Sequence, residues 1–246
     1  METAAVNGMN IANCSWSFEA TTTDAEDSPF YTCMQILKNI GVLVIAAAGN
    51  DNLDLDVSHP LAQKKYPASY DLDNILTATT YDCFGQLAGY SNYGINHVDI
   101  ALPGNKIPGV ADINQLGWLS GTSQSAAILT GIAANLGTYQ QQFDYQEIIC
   151  AIMNSANYHP VIDQFVKSDG LINADEALTL LGNCTHTTNP PTRRSSLPST
   201  NSIYPNPANS IINLNLYSDT ANNISCLLYT SPSPRDATLS RMPSSA

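Results

Sequence analysis

Three stretches of the chain carry residue types that can do chemistry. Gly121-Thr122-Ser123-Gln124-Ser125-Ala126-Ala127 sets a serine behind a glycine at the mouth of an Ala-rich segment. A helix N-terminus presents unpaired N–H groups and the positive end of a dipole, and both stabilise an alkoxide or oxyanion beside a hydroxyl. The chemistry this supports is acyl transfer through Ser123, although Thr122 or Ser123 serves equally well as a helix N-cap. Val44-Ile45-Ala46-Ala47-Ala48-Gly49-Asn50 ends an apolar run with a glycine and an amide. Asn50 can supply a side-chain donor to a tetrahedral intermediate, and Gly-Asn also suits a plain turn. The third stretch, Asp51, Asn52, Asp54 and Asp56, clusters oxygen ligands but lacks the Gly and terminal Glu of an EF-hand loop. A solvated acidic loop accounts for it, so no metal site is assigned and no cofactor is expected, calcium being an unsupported option.

These residues need elements to hold them. Ser28-Pro29 starts a helix whose Phe30, Cys33, Met34 and Leu37 recur at i, i+3, i+4 and i+7 before Gly41 stops it. Val42 to Ala46 follows as a continuous apolar run, the pattern of a strand buried on both faces. Residues 74–79 and 98–102 read as further strands, and Ser123 to about Gly137 reads as a helix with a small-residue face. Helical and strand patterns alternating over residues 1–182 indicate an α/β fold with a mainly parallel sheet. In such sheets ligands bind beyond the carboxyl ends of the strands, where Asn50 falls.

Charge narrows the partners. Lys plus Arg number 9 against 21 Asp plus Glu, giving a net charge of -12, and the only cations before position 193 are Lys38, Lys64, Lys65, Lys106 and Lys167. Phosphate recognition needs clustered cations, so no nucleic acid is expected as a partner. No apolar run approaches the roughly 20 residues of a membrane span. Charged residues make up 12% of the chain, about half the share of ordinary soluble domains, which suits an extracellular protein. The six cysteines contain no Cys-x-x-Cys pair, which argues against zinc; they read as scattered buried thiols, and a Cys150–Cys184 disulfide is an alternative that sequence alone does not support.

Composition shifts after Asn183. Residues 184–201 are rich in Thr, Pro, Ser and Asn, without apolar periodicity, and read as a linker. Residues 202–225 open with Tyr204-Pro205-Asn206-Pro207 and continue into an alternating, strand-like stretch at Ile211 to Leu216. Residues 226–246 resemble translated sequencing-library adapter and are set apart from the fold as an artefact.

The blocks together resemble the subtilisin-like serine peptidases, the subtilases. Asn13-Cys14-Ser15-Trp16-Ser17 resembles the strand forming one wall of the substrate cleft, and Ala46 to Asn50 the strand and loop carrying the family's oxyanion asparagine. Tyr66-Pro67-Ala68-Ser69-Tyr70, Tyr90-Ser91-Asn92-Tyr93-Gly94, Val98 to Gly104, Gly121-Thr122-Ser123 and Gly170 to Ala174 follow in the family's order. The resemblance implies a three-layer subtilisin-like α/β fold and a serine endopeptidase acting on proteins or peptides. Ser123 would be the nucleophile, with Asn50 and the Ser123 N–H as oxyanion donors. Ser15-Trp16-Ser17 and Ala47-Ala48-Gly49 would line the channel that pairs with the substrate main chain, Trp16 serving there or in packing.

The family's base and its partner are not found. Among His59, His97, His159 and His186 none precedes Gly-Thr, and no Asp-Ser-Gly or Asp-Thr-Gly block occurs. Because Met1 to Gly8 resembles the middle of a helix, residues 1–183 are expected to be the C-terminal half of a peptidase domain. Its Asp, His and signal peptide would lie upstream, leaving this chain inactive by itself. Gln124, Ser125, Ala127 and Ile128 also depart from the Met-Ala and Pro-His that usually follow Gly-Thr-Ser. The alternative is a catalytically dead subtilase-like module for surface binding or adhesion. An α/β-hydrolase esterase is disfavoured, because no Gly-x-Ser-x-Gly elbow surrounds Ser123. Tyr204-Pro205-Asn206-Pro207 resembles the opening of the type IX secretion sorting domain, a small β-sandwich. That implies a secretion-machinery partner and a protein secreted or held at the bacterial outer-membrane exterior.

Overall fold

A strand without a polar face has to be covered on both sides, and Leu43–Ala47 (β3) is buried at every position. The structure, a computed structural model, describes residues 8–57, 64–112, 115–184 and 225–229. β3 lies inside a seven-stranded sheet of order β11-β1-β3-β5-β6-β10-β9. Its other members are β1 (Met9–Cys14), β5 (Ile75–Tyr81), β6 (Ile100–Pro103), β9 (Asn157–Tyr158), β10 (Gly170–Leu171) and β11 (Ser225–Tyr229). All pairings are parallel except β10 with β9. Two antiparallel ribbons flank the sheet, β2 (Phe18–Ala20) with β4 (Lys64–Tyr66), and β7 (Ile107–Asp112) with β8 (Gln115–Leu119).

Helices cover both faces. They are α1 (Thr22–Glu26), α2 (Pro29–Asn39), α3 (Thr122–Thr138), α4 (Tyr145–Ser155) and α5 (Ala174–Leu180). On one face Val44 and Ala46 share a core with Met34 and Leu37 of α2. On the other, Leu43, Ile45 and Ala47 share a core with Ala126, Leu129 and Ala133 of α3 and Ile148 and Ile152 of α4. The two-residue alternation of β3 therefore feeds two cores.

The expected helix at Ser28-Pro29 forms as α2, with the Ser28 hydroxyl accepting the Tyr31 N–H at 3.3 Å. Its apolar stripe divides: Met34 and Leu37 are buried, whereas Phe30 stays half exposed and stacks on Trp16 and Phe18. The small-residue face of α3 is buried at Ser125, Ala126, Ala133 and Gly137. Cys150 and Cys184 form a disulfide that ties α4 to the segment after α5. No helix among the described residues is long and apolar enough to cross a membrane.

One expectation is corrected here. The described part of the C-terminal region, Ser225–Tyr229, is an edge strand of the main sheet paired with β1 rather than part of a separate β-sandwich. An open strand edge presents a row of unpaired N–H and C=O groups, and a short apolar segment able to extend satisfies them. That strand takes in residues set aside as artefact. The Tyr204-Pro205-Asn206-Pro207 block, the rest of residues 185–224 and 230–246, and the helical start at Met1 to Asn7 lie outside the described residues.

Asp99 precedes β6 and accepts the Thr77 N–H at 2.7 Å, with the Lys167 ammonium 3.9 Å away. Burial raises its pKa from 3.8 to about 6, against the opposing pull of Lys167. A carboxyl whose pKa is higher folded than unfolded holds its proton more tightly in the native state, so its contribution is complete below about pH 4 and is lost as pH rises through about 6. The Tm of Asp99→Asn relative to the parent is therefore expected to move in the variant's favour between pH 4 and 6 and to level off above pH 7. A pH series of thermal melts checks this; a gap constant with pH removes the assignment.

Candidate active site

The carboxyl ends of β1 and β3 meet the start of α3. β1 and β3 are parallel neighbours with Cys14 beside Ala46, so Ser15 to Ser17 and Ala48 to Asn50, which follow Ala47 at the end of β3, leave the sheet side by side. Gly121 is the N-cap of α3 and makes no side-chain cap bond, so neither Thr122 nor Ser123 is the cap. The uncapped turn finds its acceptor elsewhere. Asn50 Oδ1 accepts the Thr122 N–H at 2.9 Å and the Thr122 hydroxyl at 3.1 Å. The same hydroxyl accepts the Gly49 N–H at 3.0 Å, so Thr122, fully buried, is bonded to both residues of the Gly-Asn pair.

This arrangement orients the amide. With Oδ1 held by Thr122, the donors of Asn50 are on Nδ2, and Nδ2 has no protein acceptor among the described residues. Gly121 sits beside it with φ +154°, a backbone L side chains rarely adopt, and a Cβ there would crowd Asn50 Nδ2 at 3.3 Å and Gln124 Oε1 at 3.1 Å. Gln124 N–H turns back to the Gly121 carbonyl at 3.1 Å, while the Ser123 N–H has no acceptor among the described residues. Two uncommitted donors thus belong to the residues around the Ser123 hydroxyl, a constellation suited to a developing negative charge.

Ser123 is joined to β1 reciprocally. Its hydroxyl donates to the Ser15 carbonyl at 3.1 Å, and the buried Ser15 hydroxyl donates to the Ser123 carbonyl at 3.0 Å. Behind them Asn13 Nδ2 donates to Ser15 Oγ at 2.8 Å, and Thr130 Oγ1 donates to Asn13 Oδ1 at 2.9 Å. Ser17 is exposed, whereas Ala47 and Ala48 are buried. Trp16 is half buried against Phe30, and its indole N–H is enclosed without a hydrogen-bond partner among the described residues.

No histidine bonds Ser123 among the described residues. His97 Nδ1 pairs with Asp56 at 2.8 Å and Nε2 lies 3.3 Å from Lys64 Nζ. His159 packs near Gly85 and is held below its ordinary pKa by burial. His59 and His186 lie outside the described residues. The acidic run is drawn into internal bonds: Asp51 pairs with Lys65 at 2.9 Å, Asp54 accepts the Asp56 N–H, and Asp56 accepts from Asn96 and His97. Buried Lys65 also pairs with Glu19 across β2 and β4. Burial works against its charge, but the hydrogen bonds and charges of Glu19 and Asp51 outweigh it, so its pKa is raised.

Several residues here have supporting roles that the sequence did not indicate, Thr122 having been read only as a helix N-cap. Thr122, Asn13, Thr130 and Asn92 are buried polar side chains within 1% of full enclosure, and only their long-range partners reveal them. Tyr90 is another: its hydroxyl donates to the Gly104 carbonyl at 3.3 Å, the same carbonyl that accepts the Gly121 N–H at 2.8 Å. Burial pushes the Tyr90 phenol up to about 12, so it remains a donor.

The model of the subtilase family matches residues 1–192. The chain belongs to the subtilase family. It is 31% identical over 176 residues to the thermophilic serine proteinase of Bacillus sp. strain AK1, covering 72% of this chain and 39% of that protein. Among solved structures it is similar to the prenylagaramide maturation protease PagA, at 29% identity and a TM-score of 0.61, covering 73% of this chain and 65% of that one. The S218A mutant of the PatA protease domain is similar at 25% identity and a TM-score of 0.62, covering 76% and 64%. The subtilase chain thus spans less than two thirds of the length of these relatives.

The family match also overturns the expectation of a C-terminal half of a peptidase domain. It starts at residue 1 and runs through 192, past Asn183 and into the stretch read as a linker, so it does not mark out a C-terminal half-domain ending at 183. The subtilase match gives no support to a type IX sorting domain or to a secretion-machinery partner. The Pro- and Asn-rich turn chemistry of Tyr204 to Pro207 is common enough to arise without such a domain.

Thr122→Val keeps the shape of the side chain and removes both hydroxyl bonds, leaving the Gly49 N–H buried without its acceptor. A loss of about 1–3 kcal/mol is expected. Urea unfolding of the subtilase chain and its variant measures it, and unchanged stability would show that water replaces the hydroxyl.

Proposed function

We propose that this subtilase is a serine endopeptidase that cleaves protein or peptide substrates by acyl transfer. Ser123 attacks the scissile carbonyl, and Asn50 Nδ2–H together with the Ser123 N–H receives the charge that develops on its oxygen. The observation that carries the reading is the pair of hydrogen bonds that Asn50 Oδ1 accepts from Thr122, which leaves the amide's donors free beside the residue preceding the serine. A plain turn at Gly49-Asn50 has no need to hold that orientation.

Ser15, Trp16 and Ser17 on one side and Ala47, Ala48 and Gly49 on the other are proposed as the walls of the substrate channel. Both segments continue parallel strands past the carboxyl edge of the sheet, where an extended peptide can add its main chain. The aromatic contact of Trp16 with Phe30 supports a packing role beside that one, with the half-exposed Phe30 ring extending the wall.

The activating imidazole and its carboxylate come from residues other than those described, because His97 and His159 are engaged away from Ser123. Because none of its four histidines precedes Gly-Thr and no Asp-Ser-Gly or Asp-Thr-Gly block occurs, the chain by itself is proposed to be inactive. An extracytoplasmic location is supported by the Cys150–Cys184 disulfide and the low share of charged residues.

The intact gene product, expressed from genomic DNA, is expected to be labelled by a fluorophosphonate probe, and Ser123→Ala to lose the label. Labelling that persists in Ser123→Ala removes the nucleophile assignment, and an intact protein that never labels favours the non-catalytic binding module. Asn50→Ala is expected to lower kcat by about 10²-fold or more with little change in KM. Equal effects on both constants would make Asn50 a structural residue.

A further inference from the structure

Asn92 stands between β5 and β6, is completely buried, and makes no hydrogen bond with Ser123. Its side chain is nevertheless bonded to both flanks of Asn50. Nδ2 donates to the Ala48 carbonyl at 2.9 Å, two residues before Asn50. Oδ1 accepts the Asp51 N–H at 3.0 Å and the Leu53 N–H at 2.9 Å, one and three residues after it. The Asn92 backbone N–H adds a bond to the Gly49 carbonyl at 3.0 Å. Only an amide offers a donor and a two-lone-pair acceptor on one short, neutral, planar group, and here both ends are engaged by a single loop.

The loop is fitted to that amide. Gly49 has φ +103°, and a Cβ on it would lie 2.4 Å from Asn92 Nδ2 and 3.2 Å from Lys65 Cγ. Glycine at 49 therefore serves two ends, the left-handed backbone and the approach of the Asn92 amide. Asn92 is itself anchored to β5. Thr79 Oγ1 donates to the Asn92 carbonyl at 2.6 Å, and the neighbouring Ser91 Oγ accepts the Thr80 N–H at 3.0 Å and pairs with Thr79 Oγ1 at 2.8 Å. Each of these groups is buried, so loss of a partner strands a polar atom away from water.

We infer that Asn92 is a positioning residue for the reaction: it clamps Ala48 to Leu53 so that Asn50 holds its donors at the oxyanion. This rests on the proposed role of Asn50. A donor contributes to catalysis only when it sits within about 2.7–3.1 Å of the oxygen that becomes charged, so slack in its loop costs rate before it costs binding. Thr122 fixes the tip of the Asn50 side chain; Asn92 fixes the backbone from which it projects.

The test is a double-mutant cycle in the intact gene product, with peptide hydrolysis read as kcat and KM separately. Asn92→Ala is expected to lower kcat by about 10- to 10²-fold while KM moves less than about 3-fold. In an Asn50→Ala background the same substitution is expected to lower kcat by less than about 3-fold, because the donor it positions is gone. Full and equal losses in both backgrounds would overturn the inference and make Asn92 a general support of the fold, as would an unchanged kcat in the single variant. If Asn92→Ala does not fold, Asn92→Ser, which keeps one short donor and acceptor, is put through the same cycle with the same deciding outcomes. Should Ser123→Ala retain turnover or Asn50→Ala leave kcat untouched, the reading of the site itself fails, and Asn92's role falls with it.

Discussion

A helix that begins at the edge of a sheet brings backbone N–H groups that need acceptors, and α3 begins without a side-chain cap of its own. Asn50 Oδ1 takes the Thr122 N–H, and the Thr122 hydroxyl answers by accepting from Gly49. That exchange joins the end of β3 to the start of α3. From it follow the orientation of the Asn50 amide, the need for glycine at 121 and the uncommitted N–H of Ser123. The same bonds that complete the helix start leave two donors without a protein acceptor among the described residues.

The surroundings keep this junction rigid. The small-residue face of α3 lets the helix sit close to β1, β3 and β5, and buried polar side chains lock the register. Thr130, Asn13 and Ser15 form one line from the middle of α3 to Ser123. Ser125 Oγ pairs with Thr80 Oγ1 at 2.7 Å and donates to the Pro103 carbonyl at 3.2 Å, where a Cβ on Gly104 would collide with both hydroxyls. The departure of Ser125 from the family's usual alanine thus has a partner in Thr80, and the first turn of α3 is tied to β5 and β6 by it.

Much of the fold was legible in advance. The i, i+3, i+4, i+7 spacing after Ser28, the apolar run at Val42 to Ala46 and the Ala-rich segment after Gly121 each became the expected element, because burial on one helix face or both strand faces leaves a period in the sequence. Phe30 departed from that period, since the aromatic side chains of Trp16 and Phe18 offered its ring a partner outside the core. The junction of β11 with β1 was not legible, because strand pairing at an edge depends on which backbone groups are left open and writes no pattern into either partner.

For the candidate site the division is sharper. Gly-Thr-Ser and Ala-Ala-Ala-Gly-Asn carry their own chemistry, so Ser123 and Asn50 could be named from residue type and neighbours alone. Asn92, Thr122, Asn13 and Tyr90 could not, because a hydrogen bond between residues 14 to 117 positions apart depends on where the chain returns, and an Asn or Thr looks the same in sequence whether it faces water or closes a buried network. Side-chain periodicity therefore determined the layers, and residue type with its neighbours the two candidate site residues, whereas only the tertiary structure decided which polar groups hold them in place. The physical reason is that burial acts residue by residue and leaves a local pattern, while polar satisfaction is a condition on pairs that the folded chain brings together.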